Sequence, residues 1–75
     1  MKTEILIASL PDYERCVCEV WLDDELWCVL SEETGDLDVR FYGRPDGQPW
    51  KLPYADAVTL LVRAKARLLC EPMEP

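Results

Sequence analysis

Carboxylates are the residues whose number and spacing in this chain could do chemistry. Between Cys16 and Val39 the sequence holds eight of them and no lysine, arginine or histidine. Residues 1–38 carry a formal charge of −9 and residues 39–75 a charge of +2, so one half supplies nearly all of the net charge of −7. Such a field repels nucleic acid and anionic membranes and attracts basic surfaces. The eight acids are Glu19, Asp23, Asp24, Glu25, Glu32, Glu33, Asp36 and Asp38.

These carboxylates predict a surface that binds a basic protein, with the acids standing in for nucleic-acid phosphates. Duplex DNA carries one charge per about 1.7 Å of its axis, and same-face residues of a strand repeat at roughly 6.6 Å. Screening over about 8 Å at physiological salt leaves only dense clusters effective. We expect the acids to steer association and Trp21, which shares a strand face with Glu19, to anchor the partner. The alternative is that charged hairpin turns only keep a small sheet soluble.

Four cysteines, at positions 16, 18, 28 and 70, are the candidates for metal ligation. Cys16 and Cys18 lie two apart on a predicted strand, so their thiols project in parallel, whereas structural zinc more often uses a Cys-x-x-Cys type of turn. No histidine is present to complete a site. We therefore predict reduced cysteines that pack as small apolar residues, with no metal or other cofactor. A metal–cysteine protein is kept as a third alternative.

Residues suited to catalysis are few. The lack of histidine removes the commonest general base near neutral pH. Acidic surroundings oppose the formation of a thiolate nucleophile at the cysteines. Asp23 and Asp24 fall at a predicted turn and not in a cleft. The sequence therefore predicts a protein that is not an enzyme.

Period-two alternation predicts the strands that must position these residues. Asp23 and Asp24 suit a hairpin corner because aspartate tolerates turn geometry. Gly35 allows a second turn at residues 32–36 by adopting positive φ. The predicted strands are Thr3–Ala8, Cys16–Leu22, Leu26–Ser31 and Leu37–Tyr42.

Alternation also predicts the faces of the two central strands. In the second strand, positions 16, 18, 20 and 22 form an apolar face, and Val17, Glu19 and Trp21 form a partly wet one. The third strand is apolar on both faces, with Leu26, Cys28 and Leu30 against Trp27 and Val29.

After Pro53 the period changes from two to 3.6, which predicts an amphipathic helix over residues 54–69. Pro53 suits a helix start, and Asp56 in the first turn complements the helix dipole. The bases near its end, at positions 63, 65 and 67, complement the dipole as well. The predicted apolar stripe comprises Ala57, Leu61, Ala64 and Leu68, widened by Tyr54, Val58 and Leu69.

These elements predict an α+β fold: a three- or four-stranded antiparallel meander followed by one C-terminal amphipathic helix packed on one sheet face. Residues 1–70 are expected to form a single domain and residues 71–75, with two prolines, a disordered tail. The outer sheet face, with Trp21 or Trp27, is expected to form a minor cluster or an interface. Neither a signal-peptide core nor an apolar run of about 18 residues is present, which predicts a soluble, cytoplasmic protein.

From about Tyr13 to Leu69 the layout is similar to a group of small uncharacterised bacterial domains. The shared features are a hairpin, a Ser-Glu-Glu turn at residues 31–33, an Arg-Pro-Asp-Gly-Gln-Pro-Trp loop at residues 44–50 and a closing amphipathic helix. That resemblance implies the fold and no activity. In size, acidity and lack of catalytic residues the chain also resembles the anti-CRISPR proteins of phages and mobile elements. Those proteins are often compact, acidic inhibitors, and many occupy basic DNA-binding surfaces of CRISPR effector complexes.

The expected function is stoichiometric binding to a basic, nucleic-acid-binding surface of a protein partner, with inhibition of a CRISPR effector as the favoured role. No direct binding to nucleic acid or membranes is expected. The protein would act as a monomer or a weak homodimer. The alternative is a bacterial immunity-type or housekeeping interaction module that dimerises through the apolar outer sheet face.

Overall fold

The computed structural model describes residues 1–33 and 35–70, which form one antiparallel sheet and one helix. The elements are β1 (Thr3–Ala8), β2 (Val17–Leu22), β3 (Glu25–Ser31), β4 (Asp38–Phe41) and α1 (Tyr54–Leu69). Strands adjacent in the chain are adjacent in the sheet, in the order β1-β2-β3-β4, and α1 packs on the sheet mainly at β2. The predicted α+β fold is confirmed, with four strands. The tail predicted at residues 71–75 lies outside the described residues.

The β2–β3 hairpin turns through Asp23 and Asp24, which both have positive φ, at 49° and 67°. Two consecutive residues of this kind are typical of a type I′ turn, whose twist matches that of the flanking strands. Aspartate adopts this backbone more readily than most residues that carry a Cβ. The turn also holds the start of the chain. Asp23 N–H donates to the Lys2 carbonyl at 2.8 Å, and Lys2 N–H donates to Asp23 Oδ1 at 2.9 Å.

A β-bulge in the β2–β3 ladder changes which side chains the third strand presents to the helix. Val20 pairs with Cys28 in regular register. Trp21, the next residue, pairs with Leu26, which leaves Trp27 as an extra residue. Trp27 and Cys28 both belong to the buried core, whereas Leu26 lies opposite Trp21 on the other face. The predicted alternation is therefore wrong here, because an inserted residue interrupts the period of two.

The core lies between the sheet and α1. The predicted helical stripe is confirmed, because Ala64 is buried and Ala57, Leu61 and Leu68 pack against the core, but the most buried large side chain of the helix is Leu60, which the prediction omitted. Tyr54 is 84 % exposed and Val58 is 40 % exposed, so the stripe does not widen to include them. The buried core cluster comprises Cys18, Val20, Leu22, Trp27, Cys28, Leu30, Leu60 and Ala64.

The helix covers three strands and leaves the fourth bare. α1 packs against β1, β2 and β3 but not against β4. Leu30 on β3 is 1 % exposed, whereas its cross-strand partner Val39 is 39 % exposed and Phe41, on the same face, is 58 % exposed. A helix about 10 Å wide spans roughly two strand spacings of about 4.8 Å, so one helix cannot reach across four strands.

The opposite, outer face of the sheet is partly covered by the loop of residues 9–16. Its Tyr13 side chain interacts with the Arg40 guanidinium of β4 and raises the pKa of Arg40. Val17 and Val29, which point to this face, are 0 % and 1 % exposed although neither belongs to the helix-side cluster. The face is partly wet, as predicted, at half-buried Glu19 and Trp21, whereas Val17 is fully buried.

Candidate functional site

The acidic residues gather in two groups at opposite ends of the sheet. The hairpin group lies at the β2–β3 turn and comprises Asp23, Asp24 and Glu25. The far group lies between the end of β3 and the start of β4 and comprises Glu32, Glu33, Asp36 and Asp38. The strand β3, which begins with Glu25 of the hairpin group and ends just before Glu32, separates the groups by about 20 Å. The eight carboxylates therefore do not form one continuous surface.

The hairpin group has a basic neighbour from outside its own segment. Lys2 Nζ lies 3.1 Å from Asp24 Oδ1 and 3.8 Å from Glu4 Oε1. The hydrogen bond to Asp24, together with the charge of Asp24, raises the pKa of Lys2. All three side chains are well exposed, so these pairs add little to stability. They do correct the interpretation that no base neutralises this part of the chain.

A second base, Arg44, closes the other side of the hairpin group. Its Nη2 lies 3.2 Å from Asp46 Oδ2, and its Nε lies 3.9 Å from Glu25 Oε1. That Nε is buried without a hydrogen-bond partner, so its contact with Glu25 is electrostatic. The guanidinium lies over the Trp50 ring at 5.5 Å from the centroid, and the Trp50 indole N–H donates to the Tyr42 carbonyl at 2.8 Å. The loop after β4 is thereby held against the acidic turn.

Two acids that the sequence prediction omitted belong to the same end of the sheet. Glu4 forms an ion pair with Lys2 and lies opposite Trp21 in the β1–β2 ladder. Asp46 forms an ion pair with Arg44, which also contacts Glu25. Among the described residues, this end of the molecule therefore holds five carboxylates against two bases, and it stays acidic after the corrections. The available sequence signals were the polar position of Glu4 in an otherwise apolar strand and the Pro-Asp-Gly turn that carries Asp46.

Trp21 and Glu19 lie together on the outer face of β2. The Trp21 indole N–H donates to Glu19 Oε1 at 3.1 Å, and both side chains are half-buried. Glu4 faces Trp21 from β1, and the turn begins two residues later at Asp23. The structure therefore places an aromatic side chain among carboxylates, as expected for these two residues, while Trp27 lies in the core and is not part of this face.

Two members of the far group, Glu32 and Glu33, contact the loop of residues 9–16. The Glu33 carboxylate accepts the backbone N–H groups of Glu14 and Arg15 at 2.6 Å and 3.0 Å. Arg15 Nη1 also lies 3.6 Å from Glu32 Oε1 and donates to the Glu32 carbonyl at 3.3 Å. These contacts fix the loop of residues 9–16 onto the sheet. Glu33, a predicted partner-binding residue, thus stabilises the loop through both of its carboxylate oxygens.

Asp36 and Asp38 are the exposed members of the far group. Within residues 1–33 and 35–70, neither side chain makes an ion pair or a hydrogen bond. Their position differs in one respect, because Asp38 belongs to a strand and Asp36 precedes it. Asp38 thus has a defined direction relative to the sheet.

The four cysteines divide into two buried and two exposed thiols. Cys18 and Cys28 lie in the core, as predicted, whereas Cys16 and Cys70 are exposed, which corrects the expectation for them. Burial raises the pKa of the Cys18 thiol, and burial followed by the neighbouring Cys18 raises the pKa of Cys28 to about 12. Both core thiols are therefore neutral and unreactive at physiological pH.

The described residues contain no group of three or more cysteine, aspartate or glutamate side chains placed to hold a metal ion. Cys16 and Cys70 border one open cavity of about 340 Å³ near the end of α1. Over the same described residues, no helix is both long enough and apolar enough to cross a membrane.

Comparison with known proteins does not assign this chain to a family. No family model matches the chain, and no curated protein or solved structure is significantly similar to it.

Proposed function

We propose that this chain is a non-enzymatic binding protein that occupies a basic, nucleic-acid-binding surface of a protein partner. The observation that supports this most is the acidic end of the sheet, where five carboxylates surround the β2–β3 turn with two bases among them. An exposed turn of this kind projects its charge into solvent, and closely spaced acids can compete with phosphates for a basic surface.

The hairpin group and Trp21 have different tasks in this proposal. The carboxylates steer association, because long-range attraction raises the rate of encounter. Trp21 supplies apolar contact area next to them, with its polar N–H already satisfied by Glu19 at 3.1 Å, so the ring can be covered without stranding a donor. The far group contributes general negative charge through Asp36 and Asp38.

The favoured role is inhibition of DNA binding by a CRISPR effector complex, the partner class that small acidic inhibitors imply. The alternative, an immunity-type or housekeeping module that dimerises through the outer sheet face, loses support from two observations. Trp27 lies in the core, and Val17 and Val29 on that face are already buried within the single chain.

A displacement assay tests the proposal. Purified CRISPR effector complexes loaded with fluorescent duplex DNA are titrated with the protein at about 0.15 M salt. We expect displacement that weakens steeply as salt rises, since screening over about 8 Å removes the attraction between exposed charges. Failure to displace DNA from every complex tested would contradict the inhibitor role.

A pair of charge-matched variants tests the site. The triple variant D23N/D24N/E25Q removes three negative charges at the hairpin group, and D12N/E14Q/D56N removes three at acids outside both groups. We expect the first to lose at least tenfold in affinity and the second to lose much less. Equal losses in the two variants would show that net charge, and not the acidic end, determines binding.

A further inference from the structure

An uncovered apolar surface runs along the β4 side of the molecule. Val39 and Phe41 point to the helix side of the sheet, yet they are 39 % and 58 % exposed because α1 does not reach β4. Arg63 and Arg67 line a groove with Thr3 and Ile5, so that flank of the helix faces β1. The opposite flank of the helix carries Val58 and Val62, which are 40 % and 57 % exposed.

The same strand has an unused backbone edge. The Tyr42 N–H donates to the Trp27 carbonyl at 2.9 Å. Hydrogen-bonding direction alternates along an antiparallel strand. Positions 38, 40 and 42 therefore turn their N–H and C=O groups towards β3, and positions 37, 39 and 41 turn theirs outwards. Within the described chain no further strand lies on that side, since β4 is the last strand of the sheet.

We propose that the protein forms a homodimer in which β4 pairs antiparallel with β4 of a second copy, centred on Val39. Each Val39 then exchanges two backbone hydrogen bonds with Val39 of the second copy, and Leu37 pairs with Phe41. The two sheets join into one eight-stranded sheet, and the apolar side chains of both copies meet on the helix side. Such a contact is two-fold symmetric, so each interaction occurs twice.

Charge complementarity selects this register. With Val39 at the centre, Asp38 lies opposite Arg40 of the second copy on the outer face, in the type of pair whose Cα atoms approach to about 4.5 Å. Centring the pairing on Asp38 would oppose two aspartates, and centring it on Arg40 would oppose two arginines, which is unfavourable in both cases. A shift by one residue would turn Val39 away from its counterpart and mismatch the backbone groups.

The components of the charge pair are already positioned. The Arg40 guanidinium already lies over the Tyr42 ring, 5.7 Å from its centroid, so it loses less conformational freedom on pairing. The Asp38 side chain makes no ion pair or hydrogen bond within residues 1–33 and 35–70. Two chains that each carry a net charge of −7 would thus meet where their opposite charges face each other.

The other edge strand offers no equivalent. β1 has the sequence Thr-Glu-Ile-Leu-Ile-Ala, in which Glu4 is the one charged residue, and the flanking Lys2 that could face it already pairs with Glu4 and Asp24 of its own chain. The helix also packs on β1, whereas it does not pack on β4. β4 is therefore the edge that is both bare and self-complementary.

A charge-exchange experiment tests the register. D38R and R40D are each expected to weaken dimerisation about tenfold or more, measured by sedimentation equilibrium at about 0.15 M salt, because each variant opposes like charges at both pairs. An equimolar mixture of the two variants restores unlike charges at both pairs and is expected to form heterodimers. A mixture that stays as monomeric as its components would overturn the proposal.

A second pair of variants tests the surface. F41D is expected to abolish the dimer, whereas L6D, at a residue 43 % exposed on the outer face of β1, is expected to dimerise like the parent chain. Far-ultraviolet circular dichroism confirms that both variants fold. A parent chain that is monomeric throughout the concentration range, or a dimer lost in L6D and kept in F41D, would also overturn the proposal. The D23N/D24N/E25Q variant should still dimerise, so this result is independent of the proposed binding function.

Discussion

Leu30 and Val39 are neighbours across the β3–β4 ladder and point to the same side of the sheet, yet one is buried and the other is 39 % exposed. The difference arises from the width of the single helix and not from residue type, since both side chains are aliphatic. On β2 and β3 the helix seals the sheet into a dry core that holds two neutral thiols. On β4 an equally apolar strand face stays in contact with water. Apolar pattern alone therefore does not reveal which residues form the core.

Truncating Leu30 and Val39 to alanine should give the largest difference in the free energy of unfolding. Leu30→Ala is expected to lower the free energy of unfolding by about 3 kcal/mol, because it leaves a cavity under the helix. Val39→Ala is expected to change it by less than about 0.5 kcal/mol. Urea denaturation at concentrations where the protein is monomeric measures both. Similar costs would mean that the fourth strand is packed as tightly as the third.

The buried thiol of Cys28 and the exposed thiol of Cys16 should affect the pH dependence of stability differently. Burial raises the pKa of Cys28 to about 12 from an ordinary value of 9.0, so the unfolded chain releases this proton at a lower pH than the folded one. The stabilisation is complete below pH 9 and is lost as pH rises towards 12, at up to about 1.4 kcal/mol per pH unit. Denaturant titrations between pH 8 and 11 measure the slope. Cys28→Ala should flatten it, and exposed Cys16→Ala should leave it unchanged; equal slopes in the two variants would contradict the assignment.

The smallest effect is expected at the border between the two regions. Phe41 is 58 % exposed but its ring packs against buried Trp27, with centroids 5.5 Å apart and planes tilted by 57°. Phe41→Ala is expected to cost about 1 kcal/mol of stability through this aromatic pair. Val62→Ala, at a residue 57 % exposed on the helix, serves as a control and should cost less. Thermal unfolding of the monomeric variants compares the two, and an unaffected F41A would show that the ring pair is not stabilising.

Much of the fold could be predicted because its signals are local. The alternation of β1, the Asp23-Asp24 corner and the change of period after Pro53 each lie within a few residues of the feature that they determine. The bulge at Trp27 has no such signal. In a strand that is apolar on both faces, the hydrophobic pattern is the same with or without an inserted residue. The helix stripe was misjudged at Tyr54 and Val58 for a different reason: the number of strands that one helix can cover depends on three-dimensional width.

The candidate site was predictable in composition but not in arrangement. The excess of acid is visible in the sequence, and Trp21 does lie beside Glu19. The bases that approach the acids, Lys2, Arg15 and Arg44, come from outside the acidic segment and depend on long-range contacts. The division into two groups follows from the length of β3, which carries the chain from one end of the sheet to the other.

The sequential strand order has a consequence for how the protein is made. Every strand pairs with the strand that precedes or follows it in the chain, so ladder contacts link segments close in sequence, and such topologies fold quickly. The helix that seals the core follows all four strands. During synthesis from the N-terminus, Cys18, Trp27 and Leu30 thus have no cover until residues near Ala64 have emerged from the ribosome. Until the helix has been synthesised, the most apolar face of the nascent sheet is therefore exposed to chaperones and to other chains.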